Sequence, residues 1–229
     1  MTEQPGPRAK QRTPLDRERV LRAAVAIADE GGIDSLTMRK LARNLDVEAM
    51  SLYYHVSDKD DILDGMVDLV VGEIDLPAKG DNWKAAMRRR AISAHETLSR
   101  HPWASSLMDS RANPGPAALR YYDSVIGCLR EAGFSIAMAA HAFSAMDAYI
   151  YGFGLQELAL PFEDEHDVGD VAAAILEQLP ADEYPYLVEM IVDHALQPGY
   201  NYASEFEFGL DLILDGLETA RDSARVPSE

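Results

Sequence analysis

Apolar residues recur along most of the chain every three or four positions, and no stretch of useful length alternates as a strand would. Val20, Ala23, Ala24 and Ile27 form the first stripe, stopped by Gly31-Gly32. Thr13, Pro14 and Asp16 supply its start signals. Met38, Leu41, Ala42 and Leu45 form a second, shorter stripe with Thr37 as its N-cap. Asn44-Leu45-Asp46-Val47 reads as a turn, and Glu48 to Val56 as a third short helix. Ser57-Asp58-Lys59 opens a fourth helix, with Ile62, Leu63, Met66, Leu69 and Val70 as its stripe, ending near Glu73.

Leu76 to Asp81 (LPAKGD) reads as a linker. Trp83 to Arg100 follows as a helix with Met87, Ala91, Ala94 and Leu98 on one side. Pro102 and Asn113-Pro114-Gly115-Pro116 are expected to break the chain. Helices are then expected over Ala117–Ala132, closed by Gly133, and from a Ser135 cap to about Ala159. Pro161 to Asp170 (PFEDEHDVGD) reads as an acidic loop and Val171 to Leu179 as a short segment; Asp182–Leu196 and Ala203–Ala220 read as the last two helices. The expectation is an all-α chain in three parts: a disordered basic arm over residues 1–13, a helical domain over 14–74 and a second over 80–222.

Composition narrows the class. Hydrophobic content of 47% and charged content of 26% are those of a folded globular protein. Cys128 is the sole cysteine, so neither an intrachain disulfide nor a cysteine-based zinc cluster can form. No apolar run approaches the ~18 residues a membrane span needs, and the N-terminus lacks the apolar core of a signal peptide. A soluble, cytoplasmic protein without membrane partners is expected.

The formal net charge of −18 would argue against nucleic acid as a partner, but the charge is segregated. Glu131 to Ala220 holds 18 acids and no Lys or Arg, while the other 139 residues balance at 21 of each sign. The first 45 residues carry 9 bases against 6 acids. The acidic block should repel DNA and leave approach to residues 8–59. Arg8, Lys10 and Arg12 suit either a solvated tail or an arm touching DNA phosphates or the minor groove.

Three short helices with a tight turn between the second and third fit a helix-turn-helix, whose third helix can enter the major groove. On that helix Leu52 and Val56 are expected to bury against Leu41 and Leu45, leaving Ala49, Met50, Tyr53 and Tyr54 exposed. Arg39, at the start of the second helix, is the cation placed to reach a base, and Arg is the best reader of guanine. Lys40 and Arg43 read as solvated or phosphate-facing. The sequence patterns of hydrolases, zinc proteases, phosphate-binding loops and dinucleotide folds are absent, so no enzyme, cofactor or metal site is expected. An all-α ligand-binding or scaffold protein without DNA binding stays open as the alternative.

The string from Gly32-Ile33-Asp34-Ser35-Leu36-Thr37-Met38-Arg39-Lys40-Leu41-Ala42 through Leu45-x-Val47, Ser51-Leu52-Tyr53-Tyr54-His55-Val56 and Lys59-x-x-Ile62-Leu63 resembles the DNA-binding domain of the tetracycline-repressor (TetR) family. Gly133-Phe134-Ser135, Gly152, Phe206-Glu207-Phe208-Gly209-Leu210 and Gly216-Leu217-Glu218 are similar to its C-terminal domain. The resemblance implies a homodimeric regulator that binds palindromic operator DNA through residues 14–74 and a small effector through residues 80–222, most simply as a repressor released by its ligand. It implies base contacts from Ala49, Met50 and Tyr53, and phosphate contacts from Thr37, Ser51, Tyr53, His55 and Lys59. Two positions depart from the pattern. Asp46 stands where the family usually has Gly, although Asp tolerates the left-handed conformation, and Met50 stands where Pro or a small residue is common.

Within the second domain, methionines and aromatics at helical spacing suit a core, and in a family with an internal cavity they also suit a pocket wall. Candidates for that pocket are Met87, Met108, Tyr122, Met138, Met146, Tyr149 and Met190, with Arg90, Arg111 and His141 as polar groups. The asparagine and histidine that hold tetracycline and its magnesium in tetracycline repressors correspond here to Arg90 and Leu107, so no response to magnesium–tetracycline is expected. Mid-helix Gly152 and Gly154 suggest a close helix–helix approach at a dimer seam, completed by Phe208, Leu212, Ile213 and Leu217 of the last helix.

Overall fold

The computed structural model describes residues 14–108, 113–160 and 165–224. Among them there is no strand. The helices are α1 (Arg17–Gly31), α2 (Met38–Asn44), α3 (Ala49–Leu52), α4 (Lys59–Val71), α5 (Trp83–Arg100), α6 (Pro102–Met108), α7 (Pro116–Glu131), α8 (Ile136–Ala159), α9 (Glu165–Gln178), α10 (Pro185–Met190) and α11 (Ala203–Ser223). The chain divides into two compact units, one up to Met66 and the other from Val67, with the boundary inside α4. The basic arm, residues 1–13, lies outside the described residues.

In the first unit, Asp16 caps α1, its carboxylate accepting the Arg19 amide at 2.8 Å, and Thr13 lies outside the described residues. Gly32 ends that helix at φ 73°. Thr37 caps α2 by accepting the Lys40 amide at 3.1 Å. The four-helix packing buries Val20, Ala24 and Ile27 of α1, Leu41 and Leu45 at α2, Leu52 and Val56 at α3, and Ile62 and Met66 of α4. A bidentate ion pair from Arg17 to Asp61, at 2.6 and 2.9 Å, ties α1 to the first turn of α4.

In the second unit, α5 packs against α6, α7, α8 and α11. Its apolar side (Met87, Ala91, Ala94, Leu98) is buried. The edge flanking it carries Lys84, 2.5 Å from Asp215 and 2.7 Å from Glu218, and Arg88, 2.5 Å from Glu207 and 2.9 Å from Asp211. Four acids of the base-free block therefore face α5 cations across the α5–α11 seam. At the start of α7, one Asp68 carboxylate oxygen accepts the amides of Ala117 and Ala118, each at 2.9 Å, and so caps that helix from α4.

Several boundaries differ from the sequence expectation. α3 keeps α-helical form only to Leu52, because the amides of Tyr54 and His55 bond three residues back to Ser51 and Leu52 and tighten the last turn. Pro102 starts α6 instead of breaking the chain, since a proline lacks only a donor that the first turn would leave unpaired. The acidic loop is shorter than expected, as α9 begins at Glu165; the strong helix formers Ala172-Ala173-Ala174 extend the helix back into it. The expected helix over 182–196 begins at Pro185 and changes to a π turn over Ile191–Ala195.

Candidate nucleic-acid interface

The turn between α2 and α3 is possible because Asp46 adopts φ 55°, the left-handed region in which Asp is tolerated and a β-branched residue is not. This brings α3 across α2. Leu41, Leu45, Leu52 and Val56 face inward and are buried. The outer face carries Met50 (72% exposed), Tyr53 (48%) and Tyr54 (87%). Large side chains this exposed contribute little to the unit's own packing. Thr37, Arg39, Lys40 and Lys59 are also exposed, while Ala49, Ser51 and His55 are half-buried. An open groove lined by Ala42, Arg43, Asp46, Val47, Glu48 and Ser51 runs beside the turn.

Residues outside this face hold it in place. Asp61 accepts the Ser57 amide at 2.8 Å as well as the Arg17 guanidinium, which also reaches the His55 carbonyl at 3.5 Å. The segment from His55 to Lys59 is thereby anchored to α1. The Arg17 hydrogen bond, with the Ser57 bonds and Arg17's charge, holds the Asp61 carboxyl below its ordinary range against a modest opposing effect of burial. Neither Arg17 nor Asp61 stood out in the sequence. The only signal available was a conventional charge at each helix start.

In the second unit the candidate pocket residues are not equivalent. Met87, Met146 and Arg90 are fully buried. Met108, Met138 and Tyr149 are half-buried, and the Tyr149 hydroxyl bonds the carbonyls of Glu205 and Phe206, each at 3.1 Å. Tyr122, His141 and Met190 are exposed in the chain, so they line no enclosed space by themselves. Arg111 lies outside the described residues.

The structure brings Arg90 together with two residues that were not on that set, Tyr121 and Asp147. The Arg90 Nε donates to the Tyr121 hydroxyl at 2.8 Å, and Nη2 bonds both that hydroxyl and the Asp147 carboxylate. Its guanidinium carbon lies 4.8 Å from the Tyr121 ring centre and 5.6 Å from that of Phe143. Burial opposes the charge of Arg90, but Tyr121 and Asp147 reverse the effect and hold it firmly protonated. Burial keeps the Tyr121 and Tyr151 phenols in the neutral form. Asp147 was legible in principle: it is the lone carboxylate between Ile136 and Gln156, and a charge placed so implies a buried partner. Among the described residues no cluster of three metal-binding side chains occurs.

Of the candidate dimer residues, Phe208 and Leu212 are 66% and 59% exposed, and Ile213 and Leu217 half-buried. Among the described residues nothing approaches Gly152 or Gly154, where an added Cβ would meet open space. Within the chain a close helix approach occurs at Gly209 of α11, against Tyr149 of α8. Among the described residues no helix is long and apolar enough to cross a membrane.

Comparison with known proteins agrees with this architecture. Residues 20–66 match the family model for bacterial regulatory proteins of the tetR family, and residues 76–221 match the tetracyclin repressor-like C-terminal domain. An HTH-type transcriptional regulator of Saccharopolyspora erythraea is 33% identical over 204 residues, covering 89% of this chain and 84% of the relative. The HTH-type transcriptional repressor DrrR1 of Streptomyces coeruleorubidus is 34% identical over 214 residues, covering 89% and 77%. The structure of the TetR family protein ActR of Streptomyces coelicolor, in complex with actinorhodin, superposes with a TM-score of 0.74 at 25% identity, covering 91% of this chain and 99% of that one.

Proposed function

The chain belongs to the tetracycline-repressor family of helix-turn-helix transcriptional regulators, and from that we propose that it is a homodimeric repressor that leaves a palindromic operator when a small ligand binds its second unit. The observation that carries this reading is the division of α2 and α3 into a buried side (Leu41, Leu45, Leu52, Val56) and an exposed side holding Met50, Tyr53 and Tyr54. Arg39 supplies the hydrogen-bonding reader, suited to a guanine O6/N7 pair. Met50 and Tyr53 supply apolar contact, including to thymine methyl groups. Thr37, Ser51, His55 and Lys59 fix register on the phosphates.

Dimerisation is assigned to the exposed apolar faces of α8 and α11, where Phe208 and Leu212 need a partner to leave water. A two-fold dimer presents two recognition helices to half-sites about 34–36 Å apart. A ligand that favours another spacing of those helices releases the DNA. The cytoplasm is where such a regulator meets the chromosome.

Ligand binding is supported by ActR, whose structure contains actinorhodin. Arg90 and Leu107 stand where the drug-holding asparagine and magnesium-binding histidine of tetracycline repressors are expected, so the effector is not magnesium–tetracycline. The test is selection of binding sites from random duplexes by the full chain. An inverted repeat is the expected product. Recovery of no consensus, or of a single unrepeated half-site, would reject the dimeric reading.

A further inference from the structure

Met50 stands on the outer side of α3 with 72% of its surface open. Of the other described methionines, Met66, Met87 and Met146 are fully buried. Met38, Met108 and Met138 are half-buried, and Met190 on α10 is 52% exposed. Among the described residues, the thioether most open to water is therefore the one on the DNA-facing side.

An open thioether is a target for peroxides. A sulfur lone pair attacks one peroxide oxygen, the O–O bond breaks and an S–O bond forms. Sulfur gives up two electrons, and hydrogen peroxide is reduced to water. No prior ionisation of the side chain is needed. The sole cysteine is less well placed for the same chemistry. Cys128 is half-buried, and burial, joined by the charges of Asp81 and Glu131, pushes its thiol above its ordinary range. The thiolate is the reactive form, so Cys128 is a poor sensor of peroxide at neutral pH.

The product has a definite consequence on this face. Methionine can lie against a thymine methyl group, an apolar contact. The sulfoxide replaces that apolar surface with a polar, chiral group. Opposite a thymine methyl its oxygen meets no donor, and the phosphate oxygens around it are acceptors too. Asp46 and Glu48, which line the groove beside the turn, add carboxylates and no donor. A polar oxygen pressed out of water without a donor is unfavourable.

We propose that Met50 is an oxidation site that sets DNA affinity: a hydroperoxide converts it to the sulfoxide and weakens operator binding, and reduction to the thioether restores it. The reverse step takes two electrons and two protons from a dithiol, through methionine sulfoxide reductase, and releases water. This rests on the reading of α3 as the recognition helix. By linkage, bound DNA shields the sulfur, so the free protein is the form that senses the oxidant.

The test treats the full-length chain with hydrogen peroxide, follows each methionine by peptide mass spectrometry and measures binding to the selected inverted repeat by gel shift. Met50 is expected to gain an oxygen before Met66, Met87 and Met146. A bound duplex should slow that gain at Met50 but not at Met190. Operator affinity should fall roughly ten-fold or more, as one unpaired polar group held against the base edges implies. Methionine sulfoxide reductases for both epimers, with dithiothreitol, should restore it. Each variant is compared treated against untreated. Treated and untreated Met50→Leu should bind alike, whereas Met190→Leu should lose as much on treatment as wild type. Met50→Leu retains Cys128, so a loss that persists in this variant would assign the effect to another group and overturn the proposal. Oxidised Met50 with unchanged affinity, oxidation of Met50 no faster than that of the buried methionines, or no protection by DNA would also overturn it. Absent DNA binding before any treatment rejects the regulator reading itself, and binding that oxidation leaves unchanged rejects the oxidation site alone.

Discussion

Gly209 of α11 lies against Tyr149 of α8 so closely that a methyl group at position 209 would sit 2.2 Å from the tyrosine hydroxyl and 2.8 Å from its ring. The same hydroxyl bonds two α11 carbonyls, those of Glu205 and Phe206, so the tyrosine has little freedom to retreat. In an unobstructed helix Gly→Ala would stabilise by up to about 1 kcal/mol. Here Gly209→Ala is expected to destabilise by about 1–3 kcal/mol, the range for forcing extra volume into a packed seam. Denaturant unfolding measures it, and Tyr149→Phe should recover part of the loss in a double-mutant cycle. Additive effects would remove the steric explanation.

Asp46 holds the turn at φ 55°. Asp46→Gly relieves residual strain and is expected to leave stability equal or slightly higher. Asp46→Val puts a β-branched residue in the left-handed region, and about 1–3 kcal/mol should be lost. Thermal unfolding of the two variants distinguishes backbone conformation from any role of the carboxylate, which would make both variants weaker.

Phe208 and Leu212 form an exposed apolar edge on α11. Leu212→Glu places a charge where the dimer reading needs burial. Sedimentation equilibrium at micromolar concentration should show the wild type as a dimer and the variant shifted toward monomer, with its far-ultraviolet circular dichroism unchanged. A wild-type monomer would refute the two-fold arrangement.

The Arg17–Asp61 pair gives the first unit an acid-sensitive tie. The Arg17 hydrogen bond lowers the folded-state pKa of Asp61 below its ordinary value. The unfolded chain therefore binds this proton more readily than the folded one. The contribution is present above the usual carboxylate pKa of about 3.9 and is lost as pH falls through the lower folded value. Asp61→Asn should be less stable than wild type at neutral pH, and the difference should shrink toward zero near pH 2. Because both side chains are partly solvated, the difference is expected to be modest. A gap independent of pH would assign the effect to something other than this ionisation.

The charge segregation that first opened the way to DNA has a local explanation at the seam between α5 and α11. Asp211, Asp215, Glu207 and Glu218 belong to the base-free block, and their cationic partners Lys84 and Arg88 come from α5. Helix periodicity showed α1, α2, α5, α8 and α11 clearly, because each has an uninterrupted apolar stripe and most have a capping residue. It misjudged α3, α6 and α9. Four residues are too few to display a period, and Pro102 and the acids before Val171 read as breakers when taken one at a time. The exposed face of α3 was legible because its large residues, Met50, Tyr53 and Tyr54, lie on the side opposite Leu52 and Val56. The Arg90–Asp147–Tyr121 cluster was only half legible, since Arg90 and Asp147 are separated by more than fifty positions and their meeting depends on how α5 and α8 pack. The intrachain close approach at Gly209 was not legible, because the spacing of a glycine does not say which helix faces it.

The central claim is that Arg39, Met50 and Tyr53 form a DNA-reading face. Fluorescence anisotropy with a duplex bearing the selected inverted repeat tests it most directly, comparing wild type with Arg39→Ala across a series of salt concentrations. Arg39 is exposed, so the substitution leaves the fold intact. The wild type is expected to bind with an affinity that falls steeply as salt rises. Arg39→Ala should lose about 1–3 kcal/mol and relax preference at the base pair it reads. Equal binding by wild type and variant at every salt concentration would contradict the account.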